Sequence, residues 1–147
     1  MDCGGSTYRN LNLPSAFANQ HPNLPRTSHL MSTVILVNDA PYGGERTYNA
    51  LRLANALGKV SSSEACIVFL MADAVLGAKD GQHPPEGYYN IELMLKRFLS
   101  SGGKVLLCGS CMDARGLSET EVIEGARRST IDELAAASIA AEKVLVF

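Results

Sequence analysis

The chain has 147 residues, of which 46% are hydrophobic and 19% charged. That length suits one domain with enough Leu, Ile, Val and Ala to fill a core, which excludes global disorder and two ordinary domains. Thirteen basic against fifteen acidic side chains give a formal charge of −2, so composition offers no basic surface to nucleic acid or anionic lipid.

Residues 1–31 are rich in Asn, Pro, Ser and His, with apolar residues scattered singly, and read as a flexible N-terminal extension. The segment lacks the apolar block of a secretory signal, and Pro14, Pro22 and Pro25 interrupt any amphipathic targeting helix. Met31 stands directly before the first strand and offers an alternative start. No stretch approaches 18 consecutive apolar residues, so no membrane-spanning helix is predicted and a reducing, cytoplasmic setting is expected.

From Ser32 to Phe147 the pattern is regular. Thr33–Val37 is a short β-branched run, as expected of a strand covered on both faces. Residues 38–44 carry turn chemistry, and Arg46–Leu57 reads as a helix with Ala50, Leu51, Ala54 and Leu57 on one face and Gly58 as its stop. Cys66–Met71 is a second buried strand. Residues 72–87, with three glycines and two prolines, are expected to form a long loop. A helix over about 89–99 then buries Ile91, Met94, Leu95 and Phe98, and Lys104–Cys108 is the third strand. Ser118-x-x-Glu121 and Thr130-x-x-Glu133 read as capping boxes. The second opens a helix over Ile131–Ala140 with an apolar face of Ile131, Leu134, Ala135 and Ile139. Val144–Phe147 closes the chain as a strand. Strands alternating with helices predict an α/β fold: a three-layer αβα sandwich around a mainly parallel sheet.

In such sheets, reactive groups gather beyond the carboxyl ends of strands, and Cys108 falls at one of those ends. The run Cys108-Gly-Ser-Cys111 leaves a strand and leads towards a helix. Gly109 would let the chain turn tightly, and the backbone of Gly109 and Ser110 could supply N–H groups to an anion. Arg115 adds a positive charge, which Asp113 opposes unless the two pair. The alternative is that Cys108 is a small buried hydrophobe without chemistry. One C-x-x-C supplies two of the four ligands that structural zinc needs, and His21, His29 and His83 stand at no ligand-like spacing, so no metal is expected. A thioredoxin fold is disfavoured because the motif follows three strands and Leu107 rather than an aromatic residue. A reversible Cys108–Cys111 disulfide on another fold stays open. The turn at Asp39 also faces the strand ends; it matches no phosphate-binding pattern, and Asp39 itself would repel phosphate. Lys79, His83, Tyr88 and Tyr89 lie in the long loop, where they could cover the site or an interface.

Several blocks together resemble the DsrE/DsrF-like (YchN-like) family. They are Val105-Leu-Leu-Cys-Gly-Ser-Cys-Met-Asp-Ala-Arg-Gly-Leu117, Phe69–Val75, the Pro-Glu-Gly-Tyr-Tyr segment at 85–89, Asn38–Tyr42 and the closing Lys143–Phe147. The most specific element is Cys108 with Arg115-Gly116 downstream, and the resemblance covers residues 32–147. It implies an α/β sandwich that assembles into trimers or hexamers, with no organic cofactor or metal. It also implies that Cys108 carries sulfane sulfur as a persulfide and exchanges it with partner proteins. Arg115 would give electrostatic support, with Asp39, Gly109, Ser110 and Asp113 as candidate binding residues. Cys111 departs from the relay pattern: a vicinal thiol can attack a persulfide on Cys108, release sulfide and close a disulfide. The readings carried forward are a sulfur-handling protein, a non-catalytic oligomeric scaffold, and a Cys108–Cys111 redox switch.

Overall fold

The computed structural model describes residues 32–60 and 66–147. The extension expected over 1–31, and Cys3 with it, lies outside the described residues. Five parallel strands form one sheet: β1 Thr33–Val37, β2 Cys66–Leu70, β3 Lys104–Cys108, β4 Ala126–Ser129 and β5 Lys143–Val146. Their order across the sheet is β4-β3-β2-β1-β5. The helices are α1 Arg46–Val60, α2 Ile91–Ser100, the short α3 Gly109–Asp113, and α4 Ile131–Ala140.

Strand alternation divides the sheet into two unequal faces. Ile35 and Val37 of β1, Val68 and Leu70 of β2, and Val105 and Leu107 of β3 share one face and are all fully buried. That face lies under α1 and α2, which pack on each other and contribute Leu51, Ala54, Leu95 and Phe98 to the same core. The right-handed crossover rule places α1, α2 and the β3–β4 connection on this side, because β1 to β4 are laid down in one direction. The return from β4 to β5 runs the other way, so α4 covers the opposite face. There Val34, Phe69 and Leu106 are buried, Leu36 and Ile67 are only half-buried, and towards the β5 edge Val144 and Val146 are exposed. The three-layer sandwich expected from the sequence is the observed architecture.

Several local expectations are corrected. Residues 72–78 are about two turns of 3-10 helix rather than loop, because Ala74, Val75, Gly77 and Ala78 pack into the core and fix the backbone. Residues 126–129 form β4, a strand invisible to hydrophobic pattern because its sequence is Ala-Arg-Arg-Ser. On α4 only Leu134 is buried; Ile131 and Ile139 are 59% and 88% exposed, so the expected apolar face is not a core face of this chain. Helix α1 also continues past Gly58 to Val60. The capping box at Ser118 is present, with Glu121 accepting the Ser118 N–H at 3.0 Å; at Thr130 only the N-cap half forms, Oγ1 accepting the Glu133 N–H at 3.2 Å while the Glu133 carboxylate takes bonds from Arg127 and Ser129. Among the described residues, no helix is long and apolar enough to cross a membrane.

Candidate functional site

The order of the strands creates the site. β3 leads through α3 to one side of the sheet, whereas its neighbour β4 leads through α4 to the other, so the chain diverges at their carboxyl ends. A crevice opens where neighbouring connections part in this way. Here it is a cavity of about 220 Å³ lined by Cys108, Gly109, Ser110, Arg128, Ser129, Thr130 and Ile131.

Cys108 is the last residue of β3 and is 5% exposed. Its Sγ lies 3.3 Å from the Ser110 hydroxyl. Burial works against ionisation of Cys108. Hydrogen bonds from the Cys111 thiol, the Ser110 hydroxyl and the backbone N–H groups of Cys111 and Ser110 outweigh it and hold the thiol below its usual range. Cys111 shows the opposite balance: burial and its bond to the Cys108 sulfur push its thiol up. The pair is therefore arranged with the anion on Cys108 and the proton on Cys111. Cys66 is a contrast, since burial in β2 pushes it up to about 11, a structural thiol outside the site.

The charges around the pair are wired differently from the sequence expectation. Arg115 does not pair with Asp113. Its guanidinium clasps Asp73 at 2.9 and 2.7 Å and donates to the Cys111 carbonyl at 3.0 Å. Asp113 instead takes two parallel bonds from Arg128, at 2.8 and 2.6 Å, and this partner holds its carboxyl below the ordinary range. Arg128 is the residue that sequence reasoning missed; with β4 unrecognised, nothing placed it beside β3. Gly109 also has a different role from the tight turn expected of it. A Cβ there would lie 2.7 Å from Arg128 Nε and 2.8 Å from Cζ, so glycine makes room for the guanidinium to lie against the backbone next to Cys108.

Cys111 has its own surroundings. Its Sγ accepts the Ala72 N–H at 3.2 Å, and Ala72, at φ 45°, is the one non-glycine among the described residues with positive φ.

Asp39 is not brought to this crevice. It stands beyond β1, two strands and about 10 Å from β3. There its carbonyl accepts the Thr47 hydroxyl at 2.7 Å and its carboxylate lies 3.6 Å from Arg46. With Asn38, Arg46, Val146 and Phe147 it lines a separate cavity of about 280 Å³ at the β1–β5 edge. His83 is likewise apart from the thiols, in an aromatic and proline-lined cavity with Tyr42, Pro84, Pro85 and Tyr88.

The chemistry open to this arrangement is nucleophilic attack by a thiolate from a small cleft, with a second thiol three residues on that influences its ionisation. Comparison with known proteins agrees in fold and sequence. The model of the DsrE/DsrF-like family matches residues 31–147. Protein YchN of Escherichia coli is 43% identical over 118 residues, spanning 80% of this chain and all of that protein. An uncharacterised protein of Methanocaldococcus jannaschii is 38% identical over 117 residues, spanning 80% of this chain and all of its own length. The crystal structure of E. coli YchN superposes with a TM-score of 0.76 at 44% identity, covering 80% of this chain and 99% of that one. A protein of unknown function from Methanobacterium thermoautotrophicum, at 13% identity and a TM-score of 0.63, shares the fold over 79% of this chain and 99% of its own.

Proposed function

The chain belongs to the DsrE/DsrF-like family, and from that membership together with the Cys108 crevice we propose that it is an oligomeric sulfur-handling protein in which Cys108 carries sulfane sulfur as a persulfide. The observation that carries this reading is the placement of Cys108 at the strand-end crevice, with the Ser110 hydroxyl 3.3 Å from its sulfur and with Ser110 and Cys111 together drawing its thiol below the ordinary range. A buried cysteine serving only as packing needs no such donors. In the loading step the Cys108 thiolate attacks the outer sulfur of a persulfide or polysulfide. The Cys108 Sγ–S bond forms, the donor's S–S bond breaks, and the donor leaves as thiolate, so no external oxidant or reductant is consumed. Ser110 and the backbone of Gly109–Ser110 hold the anion. Arg128, oriented by Asp113, lines the same cavity, and Arg115 supports Cys111. A reducing, cytoplasmic setting suits free thiols of this kind.

Incubation with inorganic polysulfide followed by intact mass measurement tests the reading. The expected result is an adduct of about 32 Da that is absent from Cys108→Ser. No adduct, or one that survives this substitution, overturns it.

Self-association is part of the proposal. Val144 and Val146 on β5 and Ile139 on α4 are 43%, 64% and 88% exposed, beside the half-buried Leu36 and Ile67. The sheet face under α4 is thus unfinished in one chain, and a second copy with the same apolar surface would complete it. Sedimentation is expected to show a trimer or hexamer at micromolar concentration, shifted towards monomer by Val146→Asp with Ile139→Asp. A monomeric parent protein would refute this assembly.

A further inference from the structure

We propose that Cys111 is a second sulfur carrier: sulfur accepted by Cys108 moves on to Cys111 Sγ, on the side of the site facing the 3-10 helix, before it leaves the protein. The inference rests on the reading of Cys108 as a persulfide carrier and deepens it.

Three observations carry it. First, Cys111 Sγ has a donor of its own, the Ala72 N–H at 3.2 Å, and Arg115 bonds the same residue's carbonyl at 3.0 Å. A thiol that closes a disulfide needs such a donor only while it attacks; a sulfur that goes on to carry a persulfide anion has use for it afterwards as well. Second, the Ala72 N–H reaches that sulfur from a left-handed backbone conformation that L residues seldom keep. Such conformations persist where surrounding structure fixes them, and they gather at functional sites. Here the fixing contact is Arg115 on Asp73, the very next residue. Third, Cys108 is a buried residue whereas Cys111 is half-buried, so the second residue lies nearer the surface from which an acceptor arrives.

The step balances without an added reagent. The Cys111 thiol gives its proton to the terminal sulfur of the Cys108 perthiolate, making a neutral S–SH group. The Cys111 thiolate then attacks that outer sulfur. The bond from Cys108 Sγ to it breaks, a bond from Cys111 Sγ forms, and Cys108 leaves as the thiolate its donors already favour. Loading of Cys108 also prepares the attack. Before loading, burial and the Cys108 sulfur both push the Cys111 thiol up, while the Ala72 N–H and Arg115 pull it down. Once the Cys108 persulfide has taken the proton and is neutral, the charge part of that upward push is gone. Outer-sulfur transfer leaves Cys111 Sγ in its bond with Ala72. Attack at the inner sulfur would instead draw it to about 2.05 Å from Cys108 Sγ and away from that donor.

Fragmentation of the peptide 105–115, released after Lys104 and Arg115, locates the sulfur in time. The full chain is treated with substoichiometric inorganic polysulfide and quenched by alkylation at intervals. In the parent protein the adduct of about 32 Da is expected first on Cys108, then on Cys111 as the Cys108 signal falls. In Cys111→Ser it stays on Cys108, and in Cys108→Ser Cys111 remains unloaded over the same interval. An adduct that never leaves Cys108 overturns the transfer, as does a peptide about 2 Da lighter than the dithiol with release of sulfide. Equal loading of Cys111 in Cys108→Ser also overturns it. If no sulfur reaches Cys108 at all, the carrier reading itself falls and takes this step with it.

Discussion

Gly103→Ala is expected to destabilise the fold by about 2–3 kcal/mol, at the upper end of the cost of overpacking a filled core. The added Cβ would lie 2.4 Å from two ring carbons of Phe98 and 2.6 Å from a third. That ring is fully buried and is wedged between α2 and the sheet, so it has no solvent side to move into. The backbone closes the same spot, since the Gly103 N–H donates to the Phe98 carbonyl at 3.1 Å as α2 turns into β3. The urea midpoint of unfolding should fall with an unchanged slope. Phe98→Leu, destabilising alone, should cost much less in the Gly103→Ala background, because the two changes share one volume. Additive effects would show that the clash is not the cause.

Cys111→Ala is expected to slow alkylation of Cys108 at neutral pH by about three- to tenfold, because the Cys108 thiol loses a donor that helps hold it below its ordinary range. The sign follows from the donors. The Cys108 thiol lies below its ordinary range because hydrogen bonds to its sulfur outweigh burial, and the Cys111 thiol is the foremost of those donors. Its removal leaves Ser110 and two N–H groups, so the pH midpoint of the rate moves up. Cys111→Ser keeps a donor at that position and should hold the midpoint near that of the parent. A midpoint unmoved in Cys111→Ala would mean that Ser110 and the backbone suffice. Rates measured from pH 6 to 10 with a neutral alkylating agent separate these outcomes.

Much of this was legible in the residues, and the failures have physical causes. The runs at 33–37, 66–70 and 104–108 are buried on one face or both, so their apolar character alone identifies them. β4 escaped because an edge strand needs no apolar run: Arg127 and Arg128 keep their charges in water and spend them on Glu133 and Asp113. With β4 unseen, the cation beside Cys108 was sought at Arg115, close in sequence, rather than at Arg128, close across the sheet. The role of Gly109 was hidden for the same reason, since a glycine that admits a distant side chain looks in sequence like one that turns the backbone. Ile131 and Ile139 followed helical spacing faithfully. What periodicity cannot tell is whether an apolar stripe meets its own sheet or another surface.

The two margins of the sheet are not equivalent. At β4, paired arginines line the free edge, and charged side chains there discourage a further strand from joining. At β5 the margin is short, mostly aliphatic and open. The sheet therefore has a built-in polarity, and in the assembly proposed above contact on the β5 side leaves the thiols beside β4 uncovered. Strand-by-strand growth into an endless sheet is opposed at the guarded rim, where a further strand would meet two charged side chains.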